Sequence, residues 1–134
     1  TTVADTVTNS TGDNHIAYCF SAVEGYSVFG KYTGNGSADG PFVHTGFRPR
    51  FILWKNSTSV YDWQIVDTAR DTYNASGIVL QPNANNAEAD GRPQLDILSN
   101  GFKIRASSSV TNESASTFIY AAFAENPFKY SLAR

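Results

Sequence analysis

Hydrophobic and polar residues alternate along nearly the whole chain, and this period of two constrains the fold more than any other feature of the sequence. Successive side chains of a strand point to opposite faces, so alternation buries one face while the other meets water. His15–Val23 sets Ile16, Tyr18, Phe20 and Ala22 against Ala17, Cys19 and Ser21. Val28–Thr33 is a second candidate, ending at Gly34-Asn35-Gly36. Phe47–Lys55 holds the continuous run Phe51-Ile52-Leu53-Trp54, which predicts a strand buried on both faces. Tyr61–Asp67 places Tyr61, Trp63 and Ile65 on one side and Asp62, Gln64 and Val66 on the other. Gly77–Gln81, Leu95–Leu98, Gly101–Ala106 and Thr117–Glu125 complete the set.

About eight short strands follow, separated by clusters of Gly, Asn, Asp, Pro and Ser. No segment carries a helical stripe. The nearest approach is a turn within Asp67–Tyr73, which Asp67 is placed to cap. The expected fold is therefore all-β: an antiparallel β-sandwich with jelly-roll-like connections, a closed barrel being the alternative. Composition agrees, with 13% aromatic residues and only 16% charged ones diluted by Ser, Thr and Asn. The expected core is Ile16, Tyr18, Phe20, Phe51, Leu53, Ile65, Phe102, Ile104, Ile119 and Phe123. Trp54 and Trp63 read as core residues of their strands.

The length of 134 residues fits one domain, or one domain with a short flank. Asn9–Ser21 also echoes Asn112–Ala124 without a gap, aligning Asn9 with Asn112, Ile16 with Ile119 and Phe20 with Phe123. That echo predicts three parts. Residues 1–23 are a closing strand of an upstream unit or the first strand of the same sandwich. Residues 24–126 are the sandwich, and 127–134 are an extension whose Phe128 and Tyr130 pack onto it or onto a neighbour. The last strand should stop by Pro127, which lacks an N–H for the ladder. The absence of Met, even at position 1, suggests a processed product or a piece of a longer chain.

A net charge of −2 argues against nucleic-acid binding through phosphate neutralisation. No apolar run reaches the roughly 18 residues of a membrane span, so membrane insertion is not expected. Cys19 has no partner for an internal disulfide and, between Tyr18 and Phe20, reads as a packed thiol.

Five segments carry a resemblance: IAYCFSAVEGYS (16–27), YTGNGSADGPFVHTGFRPRFILWK (32–55), WQIVDTARDTYN (63–74), LSNGFKIR (98–105) and FIYAAFAENPF (118–128). Together they resemble a β-sandwich domain of tailed-phage virion proteins, common in marine and cyanobacterial phages. That domain occurs in tail-fibre-like and other large structural proteins, often in tandem copies or at the C-terminus. The resemblance covers roughly residues 15–130, and none of its motifs is catalytic. It implies a virion location, on a phage tail or capsid surface, and a homotrimer by likeness to tail fibres.

Some phage tail proteins degrade polysaccharide, which makes a glycosidase the enzymatic alternative. A glycosidase needs two carboxylates flanking the bond, one held neutral. None of the four Glu sits in a strongly apolar strand. Asp67 and Asp71 bracket Arg70, where capping and ion pairing are ordinary uses. His15 and His44 lie far apart and no GxSxG elbow occurs. No enzymatic activity is expected. Asp39 in GNGSADG (34–40), or Asp67 with Asp71, offers oxygens to calcium. The Asn-Gly and Asp-Gly pairs of that loop are better explained as hairpin-turn chemistry, so no metal or cofactor is expected.

Sugars dock on aromatic faces while Asn, Asp and Arg bond their hydroxyls. Trp63, Asp67, Arg70, Asp71 and Tyr73 around one turn, with Asn83, Asn85 and Arg92 of a second loop, form the candidate ligand site. The expected role is host-cell attachment through a surface receptor or glycan. The alternative is a structural module, such as a capsid decoration or tail scaffold, that contacts other virion proteins.

Overall fold

The structure is a computed structural model that describes residues 12–127, apart from the side chain of Arg92. Asn9, Phe128 and Tyr130 lie outside the described residues, and so do most of the 127–134 extension and the first half of the 1–23 unit.

Eight strands and one short helix occur among the described residues: β1 (Ser27–Thr33), β2 (Phe42–His44), β3 (Pro49–Asn56), β4 (Gln64–Asp67), β5 (Ser76–Val79), β6 (Ala89–Leu98), β7 (Gly101–Ile104), α1 (Ser109–Asn112) and β8 (Thr117–Ala124). They form two four-stranded sheets, ordered β1-β8-β3-β4 and β2-β7-β6-β5. Every strand pairing is antiparallel. Between the sheets lies one core, with Tyr32, Ile52, Trp54, Val66, Phe118 and Tyr120 from the first facing Val43, Leu95, Ile97, Phe102 and Ile104 from the second. Phe102 meets Tyr120 edge-on at 5.4 Å between ring centroids, joining the two layers. The fold is therefore all-β, two antiparallel sheets packed as a β-sandwich. Ile65 of β4 and Leu80, just past β5, exchange both backbone hydrogen bonds, at 2.8 and 3.0 Å, and tie one sheet to the other.

Phe102 and Ile104 are core residues as expected, fully buried in β7. Three other strands present the opposite face to the one expected. In β3 the buried residues are Pro49, Ile52, Trp54 and Asn56, in β4 Gln64 and Val66, and in β8 Phe118, Tyr120, Ala122 and Ala124. Phe51, Leu53, Ile65 and Phe123 are half-buried on the outer face, and Ile119 there is exposed. Both phases of these strands are apolar, so period two fixes the strand but not its inward side.

The first expected strand is absent. Gly12–Ala22 forms no strand, and Ile16, Tyr18 and Phe20 are exposed instead of buried. Cys19 is likewise exposed, not a packed thiol. Of this segment, Phe20 touches the sandwich, its ring 5.7 Å from Phe29 and 6.1 Å from Phe123 on the outer face. Strand β8 ends at Ala124, before Pro127, as the missing N–H requires.

α1 was not foreseen. Its residues tie the sandwich end together, Tyr32 donating its hydroxyl to the Thr111 carbonyl at 2.8 Å. Just beyond it, Glu113 Oε2 accepts from Ser116 (2.7 Å), Ser59 (2.8 Å) and Asn56 (2.9 Å). These donors hold its carboxyl below the ordinary 4.5. A depressed folded pKa stabilises the native state fully above the unfolded value, and that contribution disappears as pH falls through the folded one. Glu113→Gln should therefore lose less stability than the parent between pH 7 and pH 3, measured by urea midpoints, while being less stable at pH 7. An identical acid limb in both proteins would refute this.

Candidate functional site

The turn after β4 is built by Asp67. Its Oδ1 accepts the N–H groups of Ala69 and Arg70, each at 3.0 Å, the capping use expected of an Asp at that position. Its Oδ2 accepts from Arg70 Nε, and Arg70 Nη1 reaches Glu88 in the loop after β5. Burial pushes the Asp67 carboxyl up, but the bonds and charge of Arg70 outweigh it and hold the group below the usual range. The ion chain joins the two loops singled out in the sequence and leaves Asp67 committed to structure.

Asp71 has a different fate from the one expected. It is buried, and its Oδ2 accepts from Ser76 Oγ (3.1 Å), Gly77 N (2.6 Å) and Ile78 N (2.9 Å). It anchors the start of β5 and offers no free edge to a ligand. Tyr73 is 81% exposed, an aromatic standing in solvent. Next to it, Asn74 spans to β6, accepting from Ile97 N at 2.8 Å and donating to Ile97 O at 2.9 Å.

Trp63 precedes β4 and is half-buried against Leu53 and Ile119 on the outer face of the first sheet, not in the core between the sheets. Its backbone N–H donates to Asn83 Oδ1 at 2.9 Å, while Asn83 Nδ2 donates to Asp62 Oδ1 at 2.7 Å. Asn85 is exposed on the same loop, and Arg92 lies in β6. The loop around GNGSADG is tied down by Asn35 to Asn112 and by Asp39 to Lys103, but it links β1 and β2 of different sheets and so is not the hairpin turn its Asn-Gly and Asp-Gly pairs suggested.

A cleft is what the second loop does build. One part, of about 470 Å³, is lined by Gln64, Gln81, Asn86, Gln94 and Thr111; a second, of about 350 Å³, shares Gln64, Gln81 and Val110 and extends to Tyr61, Asp62 and Asn83. Three of its amides are held in place by hydrogen bonds. Gln94 Nε2 donates to Gly91 O at 2.6 Å and its Oε1 accepts from Thr111 Oγ1 at 2.7 Å. Asn86 Nδ2 donates to Gln81 Oε1 at 2.7 Å. Lys55 closes the far end by donating to the Tyr61 carbonyl. The result is a lining in which these polar groups are interspersed with Val79, Ala87, Ala89 and Val110, with one aromatic, Tyr61, and the charged Lys55 and Asp62 toward the far end. That chemistry suits a hydroxyl-rich ligand: each amide can donate and accept, and preset groups lose little freedom on binding.

Of the eight expected residues, Asn83 alone borders this cleft among those whose side chains are described. Gln64, Gln81, Gln94 and Thr111 escaped the sequence reading because they come from β4, the loop just past β5, β6 and α1, far apart in the chain. The available signal was Gln64 itself, a polar residue on the inward phase of an apolar strand. Among the described residues no group of three or more His, Cys, Asp or Glu is placed to hold a metal ion. Nor, among the described residues, is any helix long and apolar enough to cross a membrane.

No curated protein and no solved structure matches the chain. A family model described as a domain of unknown function, DUF7483, matches residues 1–127, and the chain belongs to that family.

Proposed function

We propose that this domain is a non-enzymatic part of a phage tail fibre or comparable virion appendage, acting in host-cell attachment as a homotrimer. It binds a surface receptor or glycan at the cleft between Gln64, Gln81 and Gln94. The observation that carries this reading is the set of side-chain amides along the cleft, Gln81 bonded to Asn86 and Gln94 fixed by Gly91 and Thr111, which offers a sugar preset donors and acceptors. The carboxylates nearest the expected site are occupied: Asp67 by Arg70, and Asp71 by the start of β5. Weak sites of this kind gain strength by copy number when arrayed on one appendage. The resemblance to tailed-phage virion domains supports the location. A jelly-roll-like description is supported by β1 pairing β8 in one sheet while β2 pairs β7 in the other. The hairpin pairings β3–β4, β5–β6 and β6–β7 are its departures from that plan.

A structural virion module is the second reading. The apolar outer face of the first sheet favours it, since such a face suits a protein neighbour better than a sugar. Labelling of susceptible bacteria separates the two. The fluorescent full chain should stain the cells, and Gln94→Ala with Asn86→Ala should weaken staining about tenfold, the equivalent of about 1.4 kcal/mol. A folded chain that stains no cells would remove the attachment reading.

A further inference from the structure

The outer face of the first sheet carries Phe29, Leu53, Trp63, Ile119 and Ala121 around an open cleft of about 360 Å³, with Phe20 at its border. We propose that this face is a self-association surface, on which one copy of the chain seats Ile16 and Tyr18 of another beside its own Phe20. Three observations lead there. Ile16 and Tyr18 are 81% and 80% exposed, and with Phe20 they recur every second residue, so an extended segment presents all three on one side. Single exposed apolar residues are ordinary, but a row of three large ones beside an open apolar cleft marks an interaction site. Phe20 is also already seated on Phe29 and Phe123, so the face accepts this segment's chemistry within one chain. Ile16 and Tyr18 remain in solvent while the cleft beside Phe20 remains open.

Donor row and receiving cleft lie on the same chain, so copies satisfy each other reciprocally. Two chains close about a twofold axis; more than two close as a ring when each row reaches the next face. The inference rests on the homo-oligomer of the proposed function and is independent of host attachment.

Light scattering of the full chain tests it. At micromolar concentration the mass should be a multiple of 14.6 kDa. The double variant Ile16→Asp/Tyr18→Asp should run as a 14.6 kDa monomer with unchanged circular dichroism, because both side chains are solvated in the single chain. Ile119→Asp, on the receiving side, should do the same. A parent protein that is monomeric at every concentration overturns both the surface and the homo-oligomer. An assembly that survives both variants overturns the surface alone.

Discussion

Phe118→Ala is expected to lower the unfolding free energy by about 3–5 kcal/mol, the range for deleting a fully buried aromatic side chain. Phe118 is 0% exposed in β8, the strand hydrogen-bonded on both sides by β1 and β3. Its ring stacks on Tyr32 at 4.8 Å and 3°. Tyr32 in turn meets Phe102 at 6.3 Å, so the cavity would open at the contact between the sheets. The informative comparison is Phe123→Ala in the same strand. Phe123 touches Phe20, Tyr26, Phe29 and Phe51 on the outer face, but it is only half-buried. Its loss should cost about 1–2 kcal/mol, in proportion to the smaller apolar area returned to water. Both are read from urea midpoints in the Ile16→Asp/Tyr18→Asp background, so that association does not add to the measured stability. Equal costs for the two, or a larger cost for Phe123, would mean that the strand's inward face has been misassigned.

That pair of residues also marks the limit of what the chain reveals on its own. Thr117–Ala124 alternates two apolar sets, Phe118-Tyr120-Ala122 and Ile119-Ala121-Phe123, and either could face a core. The echo with Asn9–Ser21 selected the second set by analogy with Ile16, Tyr18 and Phe20, yet that segment is no strand of this sandwich. In β3 the run Phe51-Ile52-Leu53-Trp54 raises the same ambiguity, and in β4 the inward Gln64 disguises the buried phase. β7 was legible because Lys103 and Arg105 mark one side as solvent-facing and leave Phe102 and Ile104 the other. Chemistry followed the same division. The Asp67 cap is local and could be read; the clasp of Asp71 around β5 and the amide cleft depend on strands that meet only after folding.

Asn112→Ala is the second large effect. Asn112 is fully buried at the end of α1, and a chain of bonds radiates from its amide. Nδ2 donates toward Asn35 Oδ1 (2.9 Å), Ser37 O (2.7 Å) and Ala106 O (2.9 Å), while Oδ1 accepts from Asn35 N at 2.9 Å. The side chain thereby stands in for a strand, joining the Asn35–Asp39 loop to the segment that follows β7. Alanine would leave at least two of these groups short of a partner inside the protein, at about 1–3 kcal/mol each. The expected loss is about 3–5 kcal/mol, a fall in melting temperature on the order of 10 °C for a domain this size. Gly34→Ala attacks the same junction from the other side, because a Cβ there would lie 2.2 Å from the Glu113 carbonyl oxygen. It should destabilise comparably, and hydrogen exchange should quicken at the Asn35 and Gly36 amides in both variants. A melt of Asn112→Ala within about 0.5 kcal/mol of the parent, the ordinary effect of a surface change, would show that the junction does not hold the loop. The consequence reaches the cleft. Thr111, the preceding residue of α1, holds Gln94 through its hydroxyl. Loosening α1 at Asn112 should therefore weaken cell labelling even though Asn112 touches no ligand, and Gln94→Ala in that background should add little further loss.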